Sequence, residues 1–208
     1  MKKFRIDLHV HTNRYSPCAE TLIPEFLGES AEKAGLDGVV ITEHDAIWSE
    51  EEVRLLQESV GDKVKIYRGV EVSSADGHFV VIGLQSLEGI RPGISAVDLY
   101  EVVSAQNAVA ILAHPQRSGR GGSKFPETSG WHESVDAVEV ASSMTYDENE
   151  LRARTFAEQT GRSMVAGSDA HCLLRVGATY TEFDFLPVDE TSLAEAIKAK
   201  KGTPRRGE

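Results

Sequence analysis

FRIDLHVHTNRYSPCAETLIPEFLGESAEKAGLDGVVIT, residues 4–42, is the stretch whose reading decides the fold. It opens on a β-rich run, Phe4–Val10. It then passes through Pro24–Ala34, whose apolar residues recur every three or four positions as on one helix face, and closes on a second β-rich run, Gly38–Thr42. Strand, helix and strand in that order predict a parallel βαβ unit. The alternation continues outward, with strands predicted at Lys65–Val72, His78–Leu84, Ala108–Ala113, Ala137–Ala141 and Ser163–Ala166. Helices are predicted at Glu50–Val60, Ala96–Gln106, Glu148–Thr160 and Ser192–Lys200. The pattern reads as a mainly parallel α/β architecture. Gly35 and Gly161 stand where helix C-cap glycines belong, and Ser49 and Thr191 where N-caps belong. Only Ser73–Gly77 separates the third and fourth strands, too short for a crossover helix; with its Asp76-Gly77 turn it predicts a hairpin that sets Glu71 beside His78. Gln116–Trp131, rich in Gly and Ser, reads as a mobile loop over the site, and Lys200–Glu208 as a frayed tail.

The 208 residues, 40% hydrophobic and without a low-complexity tract, predict one globular domain spanning 1–208. Lys and Arg number 22 against 33 Asp and Glu, a formal charge of -11, so the surface as a whole repels extended duplex nucleic acid. No stretch matches a signal peptide or a membrane span, and two cysteines, Cys18 and Cys172, suggest no disulfide framework. A soluble, cytoplasmic protein is expected.

Chemistry enters with Asp7-Leu8-His9-Val10-His11. Side chains at i and i+2 of a strand share a face, so both imidazoles, with Asp7, are expected to point the same way. Alone, such a pair is as readily two surface histidines as a chelate. Four further histidines, His44, His78, His114 and His171, each fall where a predicted strand begins or ends; of the seven histidines only His132 stands apart. Strand ends on one side of a parallel sheet or barrel converge, which is where α/β enzymes place their sites. Glu71 and Asp169 add carboxylates at two of these ends. By itself each would read as a solvated strand-end acid. These eight candidate ligands exceed the four of a tetrahedral zinc, so at least two metal ions are implied, and imidazole with carboxylate suits Zn, Mn or Fe. Paired ions roughly 3.5–4 Å apart are the recurring device of phosphatases and nucleases.

The strings Asp7-Leu8-His9-Val10-His11-Thr12, Thr42-Glu43-His44-Asp45, Arg68-Gly69-Val70-Glu71, Ala113-His114-Pro115 and Gly167-Ser168-Asp169-Ala170-His171 resemble, in order over residues 4 to 180, the motifs of the PHP (polymerase and histidinol phosphatase) superfamily. The resemblance implies a distorted seven-stranded (β/α)7 barrel and a trinuclear metal centre that hydrolyses phosphate esters. It implies that His9, His11, Glu71 and Asp169 hold a first metal, that Glu71 bridges to a second held by His78 and His114, and that His44 and His171 serve a third. Relatives often complete the third site with a histidine or carboxylate in the loop after the first motif. This chain has Ser16-Pro17-Cys18-Ala19-Glu20 there, leaving Cys18, Glu20 or Asp45 as substitutes, and has Glu43-His44 where Asp-His is common.

Arg117 resembles a phosphate-binding arginine of some relatives and is equally readable as a solvated loop residue; Arg120 and Lys124 share its loop. Glu139, charged within the apolar run Val138-Glu139-Val140, either faces the metals or is a buried structural carboxylate. Arg152, Arg154 and Arg162 read as solvated or paired with Glu148, Glu150 and Glu158. The expected activity is phosphoester hydrolysis by metal-activated hydroxide, with Asp45 or a histidine as general acid and Arg117 offsetting phosphate charge. A small phosphorylated substrate is expected, either a nucleotide or a short oligonucleotide. A histidinol-phosphate-type phosphatase, an amidohydrolase and a noncatalytic metal-binding regulatory module are the alternatives; Glu71 in the bridging place, rather than a lysine, weighs against the amidohydrolase.

Overall fold

The computed structural model describes residues 2–115, 131, 133–143 and 147–207. Its strands are β1 Phe4–Val10, β2 Gly38–His44, β3 Lys65–Ser74, β4 Gly77–Ile82, β5 Val109–Leu112, β6 Ala137–Ala141, β7 Ser163–Ala166, β8 Thr179–Phe183 and β9 Thr203–Arg206. The helices are α1 Leu27–Lys33, α2 Glu50–Val60, α3 Ala96–Ala105, α4 Asp147–Thr160 and α5 Glu190–Lys198. All strands belong to one sheet in the order β7-β6-β5-β4-β3-β2-β1-β8-β9. β1, β2 and β3 run parallel, as do β5, β6 and β7, while β4 runs antiparallel between β3 and β5.

The sheet curls until its ends meet. Just past β7, Ala170 bridges to Val10: the His11 N–H donates to Ala170 O at 3.0 Å, and the Ala170 N–H to His9 O at 3.4 Å. At the other end of β1, Phe4, Arg5 and Ile6 pair antiparallel with β8. Among the described residues the result is a nearly closed barrel of nine strands, not the seven-stranded (β/α)7 barrel expected. The seven predicted strands correspond to β1–β7, and the antiparallel β8–β9 pair, connected through α5, is wedged into the seam. The segment expected to fray forms β9, paired with β8 and tied by Arg205 to Glu182 at 2.7 Å and by Arg206 to Glu150 at 2.6 Å. Ser49 caps α2 as expected, with Glu52 closing a capping box. The α5 cap is Asp189 rather than Thr191, because the Asp189 carboxylate accepts the Ser192 N–H at 2.7 Å.

Residues alternate in and out along each strand. Val39, Ile41 and Ile66 face α1 and α2 on the outside, and Val70, Val72, Val138 and Val140 face α3 and α4. Ile6, Leu8, Val40, Tyr67, Val80 and Ile111 fill the interior together with Leu193, Ala194 and Ile197 of α5. α5 touches β3, β4, β5 and β7, so it lies across the end of the barrel where the parallel strands begin. The end where they finish is left for chemistry.

β1 departs from simple alternation, and the departure corrects the expectation that Asp7, His9 and His11 share a face. Its pairing with β2 slips between Asp7 and Val10: three steps along β1 match two along β2, a β-bulge. Leu8 therefore joins the interior cluster and Val10 the outer one. The bulge sends His9 and His11 inward together and leaves Asp7 on the other side, where it accepts the backbone N–H groups of Ser168 at 2.7 Å and Gly177 at 2.9 Å. A second slip in register, between Glu139 and Ala141 of β6, lies across the barrel mouth. No helix among the described residues is long and apolar enough to cross a membrane.

Candidate metal centre

Glu71 is the hub of the open end. Alternation along β3 turns Glu71 inward, and the β3–β4 hairpin pairs Ser73 with His78, which brings that imidazole alongside. Glu71 Oε1 lies 2.8 Å from His78 Nδ1 and 2.9 Å from His114 Nε2. Its Oε2 faces His44 Nδ1 at 3.0 Å, His11 Nε2 at 3.2 Å and His9 Nε2 at 3.5 Å. Glu71 is completely buried, yet Oε2 makes no hydrogen bond among the described residues. Three imidazole nitrogens converge on it without the geometry of donation.

Asp169 closes the group from the seam. Its Oδ1 stands 3.3 Å from His11 Nε2 and 3.6 Å from His9 Nε2, and the two Nε2 atoms face each other at 3.1 Å. Donors held about 2.0–2.1 Å from one tetrahedral ion lie about 3.3 Å from one another. Five of the six edges of the His9, His11, Glu71 and Asp169 tetrahedron measure 3.1–3.6 Å, so this donor set fits a single metal ion. Two more groups have ligand atoms mutually within 4.8 Å: His44, Glu71 and His78, and His11, His44 and His171. The His11 ring lies 4.4 Å from those of His44 and His171.

The surrounding residues hold these rings in place. Glu139 is 3% exposed; its Oε1 meets His9 Nδ1 at 3.1 Å, which directs Nε2 into the cluster, and its Oε2 accepts the His114 N–H at 2.8 Å. Glu139 thus stands behind two candidate ligands rather than among them. Ser16 Oγ lies 3.4 Å from His11 Nδ1 and accepts the His44 N–H at 3.1 Å. Sequence reasoning passed over Ser16, although it is the loop residue whose side chain reaches the histidines. Cys18 and Glu20, both exposed, belong to none of the donor groups found among the described residues. Asp45 Oδ1 accepts the Ser73 N–H at 2.8 Å, fastening β2 to β3. Glu43 turns away from the centre to accept from Thr12 N–H at 3.1 Å and Trp48 Nε1 at 3.0 Å. Asp45, His114 and Asp169 have φ of 53°, 27° and 53°, a left-handed conformation unusual for such residues, and each stands just past a strand end at the mouth. Arg154 pairs with Glu150 at 2.9 Å. Arg117, Arg120, Lys124 and His132 lie outside the described residues.

The cluster draws positive charge. Burial opposes the charge of Glu71, but the imidazoles that face it, His9 first and then His11, His114 and His44, hold its carboxyl well below the usual range. Asp169 is likewise lowered, against burial, chiefly by His9. Burial opposes a proton on His9, but Glu139, Glu71 and Asp169 hold it well above the ordinary value. Against burial, His11 is raised by Asp169 and Glu71, and His114 by Glu71, Asp169 and Glu139. Burial pushes Asp7 the other way, up to about 6, despite its backbone donors. Protons on the imidazoles and divalent cations between them answer the same electrostatic demand.

A family model described as PHP-associated matches residues 148–201, which include Asp169 and His171. An uncharacterized protein of Methanocaldococcus jannaschii is 32% identical over 120 residues, covering 53% of this chain and 67% of that protein. A two-domain protein from Bacteroides vulgatus, containing a predicted PHP-like metal-dependent phosphoesterase, superposes with a TM-score of 0.74 at 19% identity, over 99% of this chain and 65% of its own. The lesion-specific endonuclease Q of Pyrococcus furiosus superposes with a TM-score of 0.65 at 18% identity, over 99% of this chain and 58% of its own. The chain therefore spans about two thirds of the first two and less of the third. At these identities the structural likenesses establish a shared fold.

Proposed function

This chain belongs to the PHP (polymerase and histidinol phosphatase) superfamily, and on that premise we propose that it is a metal-dependent phosphoesterase acting on a small nucleotide or short oligonucleotide phosphate. One observation carries the reading: five of the six separations among the nitrogen and oxygen donors of His9, His11, Glu71 and Asp169 measure 3.1–3.6 Å, the spacing of ligands around one ion. Two or three divalent ions held there, of Zn, Mn or Fe, would polarise a phosphoryl oxygen and make a water acidic enough to attack it near neutral pH.

His9, His11, Glu71 and Asp169 would hold a first ion, Glu71 with His78 and His114 a second, and His44 and His171, with His11 alongside, a third. Glu139 fixes the His9 ring, and Ser16 fixes His11 against His44. No side-chain nucleophile is needed. Asp45, adjacent to His44 and oriented by the Ser73 amide, is assigned the proton delivered to the leaving oxygen. Arg117 is assigned the phosphate charge. The net charge of -11 speaks against a long polyanion, while a short ester brings its phosphate to a centre whose cations dominate the local field. Endonuclease Q, which shares the fold, has been solved with a 27-mer duplex substrate bearing an abasic lesion at its active site, a phosphodiester of nucleotide type.

The test is elemental analysis of protein produced with Mn, Fe and Zn supplied, together with a hydrolysis screen of phosphomonoesters and short DNA and RNA. Two or three ions per chain are expected, with hydrolysis abolished in Glu71→Ala and Asp169→Ala. One ion per chain and no hydrolysis of any ester would instead indicate a noncatalytic metal-binding module.

A further inference from the structure

Next to the histidine cluster the chain builds an ordered aromatic surface that hydrolysis, as derived above, leaves unused. Ser16, in contact with His11 and His44, is preceded by Arg14 and Tyr15. Tyr15 is 42% exposed, yet three partners fix it. Its O–H donates to Glu52 Oε1 at 2.7 Å, its ring meets Trp48 edge-on at 6.3 Å and 89°, and the Arg14 guanidinium carbon lies 5.6 Å over its centroid. The partners are fixed in turn. Glu52 closes the α2 capping box with Ser49, and Trp48 donates Nε1 to buried Glu43 at 3.0 Å.

Arg14 donates through Nε and Nη2 to the same Glu52 oxygen, at 2.9 and 2.6 Å, so its charge is answered within the cluster. A neutralised arginine is a poor phosphate clamp. A pinned, half-exposed aromatic ring is a good support for a flat one, because little side-chain freedom remains to be lost when a partner lies on it. The ring stands one residue from Ser16, whose side chain touches two candidate ligands.

We propose that Tyr15, backed by Arg14 and Trp48, is a stacking platform for the base of a nucleotide substrate, so that this chain selects nucleoside phosphates over other phosphate esters. The inference rests on the phosphoesterase reading of the adjoining centre. The experiment compares adenosine 5′-monophosphate with ribose 5-phosphate, which differ only in the base, on metal-loaded wild type, Tyr15→Ala and Tyr15→Phe. KM is read for both compounds, and binding is read by equilibrium dialysis, which needs no turnover.

Wild type is expected to favour the nucleotide by about tenfold or more, the size of one base–aromatic stack. Tyr15→Ala should lose about tenfold for the nucleotide and leave ribose 5-phosphate unchanged, and Tyr15→Phe should keep most of the preference. A wild type indifferent to the base overturns the proposal, as does a Tyr15→Ala variant that loses both compounds equally, or a Tyr15→Phe variant that behaves like Tyr15→Ala. Should wild type hydrolyse neither compound, the phosphoesterase reading is decided by the wider screen of phosphomonoesters and short DNA and RNA. Dialysis then still decides the platform: nucleotide binding that depends on Tyr15 supports it, and its absence overturns it.

Discussion

Replacing Glu139 with Gln keeps the shape of a buried side chain while removing one of its two acceptor oxygens. The carboxylate serves His9 Nδ1 at 3.1 Å and the His114 N–H at 2.8 Å at once. An amide has one oxygen and one NH2 for those two places. If the oxygen stays on the His114 N–H, the NH2 faces His9 Nδ1, which must then accept. The imidazole proton moves to Nε2 and points at His11, Glu71 and Asp169, where an ion belongs. If the amide flips, the NH2 confronts a buried N–H and leaves it unsatisfied, at a cost of about 1–3 kcal/mol. Either arrangement should weaken metal binding by about 10–100-fold, roughly 1.4–2.8 kcal/mol.

Competition against a chromophoric chelator measures that loss. Calorimetry in buffers of different ionisation enthalpy supplies a second readout, the protons released on metal binding. Glu139 is the foremost of the carboxylates holding the His9 proton, so the variant should release fewer protons near neutral pH. Affinity within twofold of wild type, with unchanged proton release, would refute the idea that Glu139 acts through His9.

Gly167→Ala would place a Cβ 2.5 Å from His9 Cβ and 2.7 Å from its backbone nitrogen, which is too close for either strand to keep its place. Destabilisation of about 1–3 kcal/mol is expected, seen as a lowered melting temperature with weaker metal binding; melting as in wild type would mean the seam is slack. Stability against pH should also separate the metal-free from the loaded protein. The raised values of His9, His11 and His114 contribute stability that is full below their ordinary 6.5 and is lost as pH rises through their folded values. The lowered values of Glu71 and Asp169 contribute above their ordinary 4.5 and 3.8 and are lost on acidification. Asp7 subtracts stability as pH climbs from 3.8 to about 6. Urea denaturation with a chelator present should therefore show stability falling above about pH 6.5, while metal-loaded protein holds. Parallel curves would contradict this.

Much of the fold was legible because β1–β7 carry apolar runs that alternate with helical periods. β9 was not, for a physical reason: Thr203-Pro204-Arg205-Arg206 has no apolar face, and it becomes a strand by pairing with β8 and through the ion pairs of its two arginines. β8 did carry a signal, the short alternating Thr179-Tyr180-Thr181-Glu182-Phe183, easily lost beside longer runs. At the site, the six histidines and two carboxylates could be found from their positions at strand ends. The behaviour of Asp7 could not, since period-two reasoning assumes an unbroken strand and the bulge before Val10 resets the faces. Nor could Ser16, a loop serine with nothing in its neighbours to single it out.

The bridge between Val10 and Ala170 has a kinetic side. It is a closure of two hydrogen bonds, 3.0 and 3.4 Å long, flanked on one side by His9 and His11 and on the other by Asp169 and His171. Unzipping it draws apart the donors of the first ion and separates His11 from His171, while the long β2–β3 pairing stays intact. For an ion held there as proposed, its loss and the breathing of the barrel would be one event, and the protection of these two backbone amides from deuterium a gauge of how tightly the centre is held.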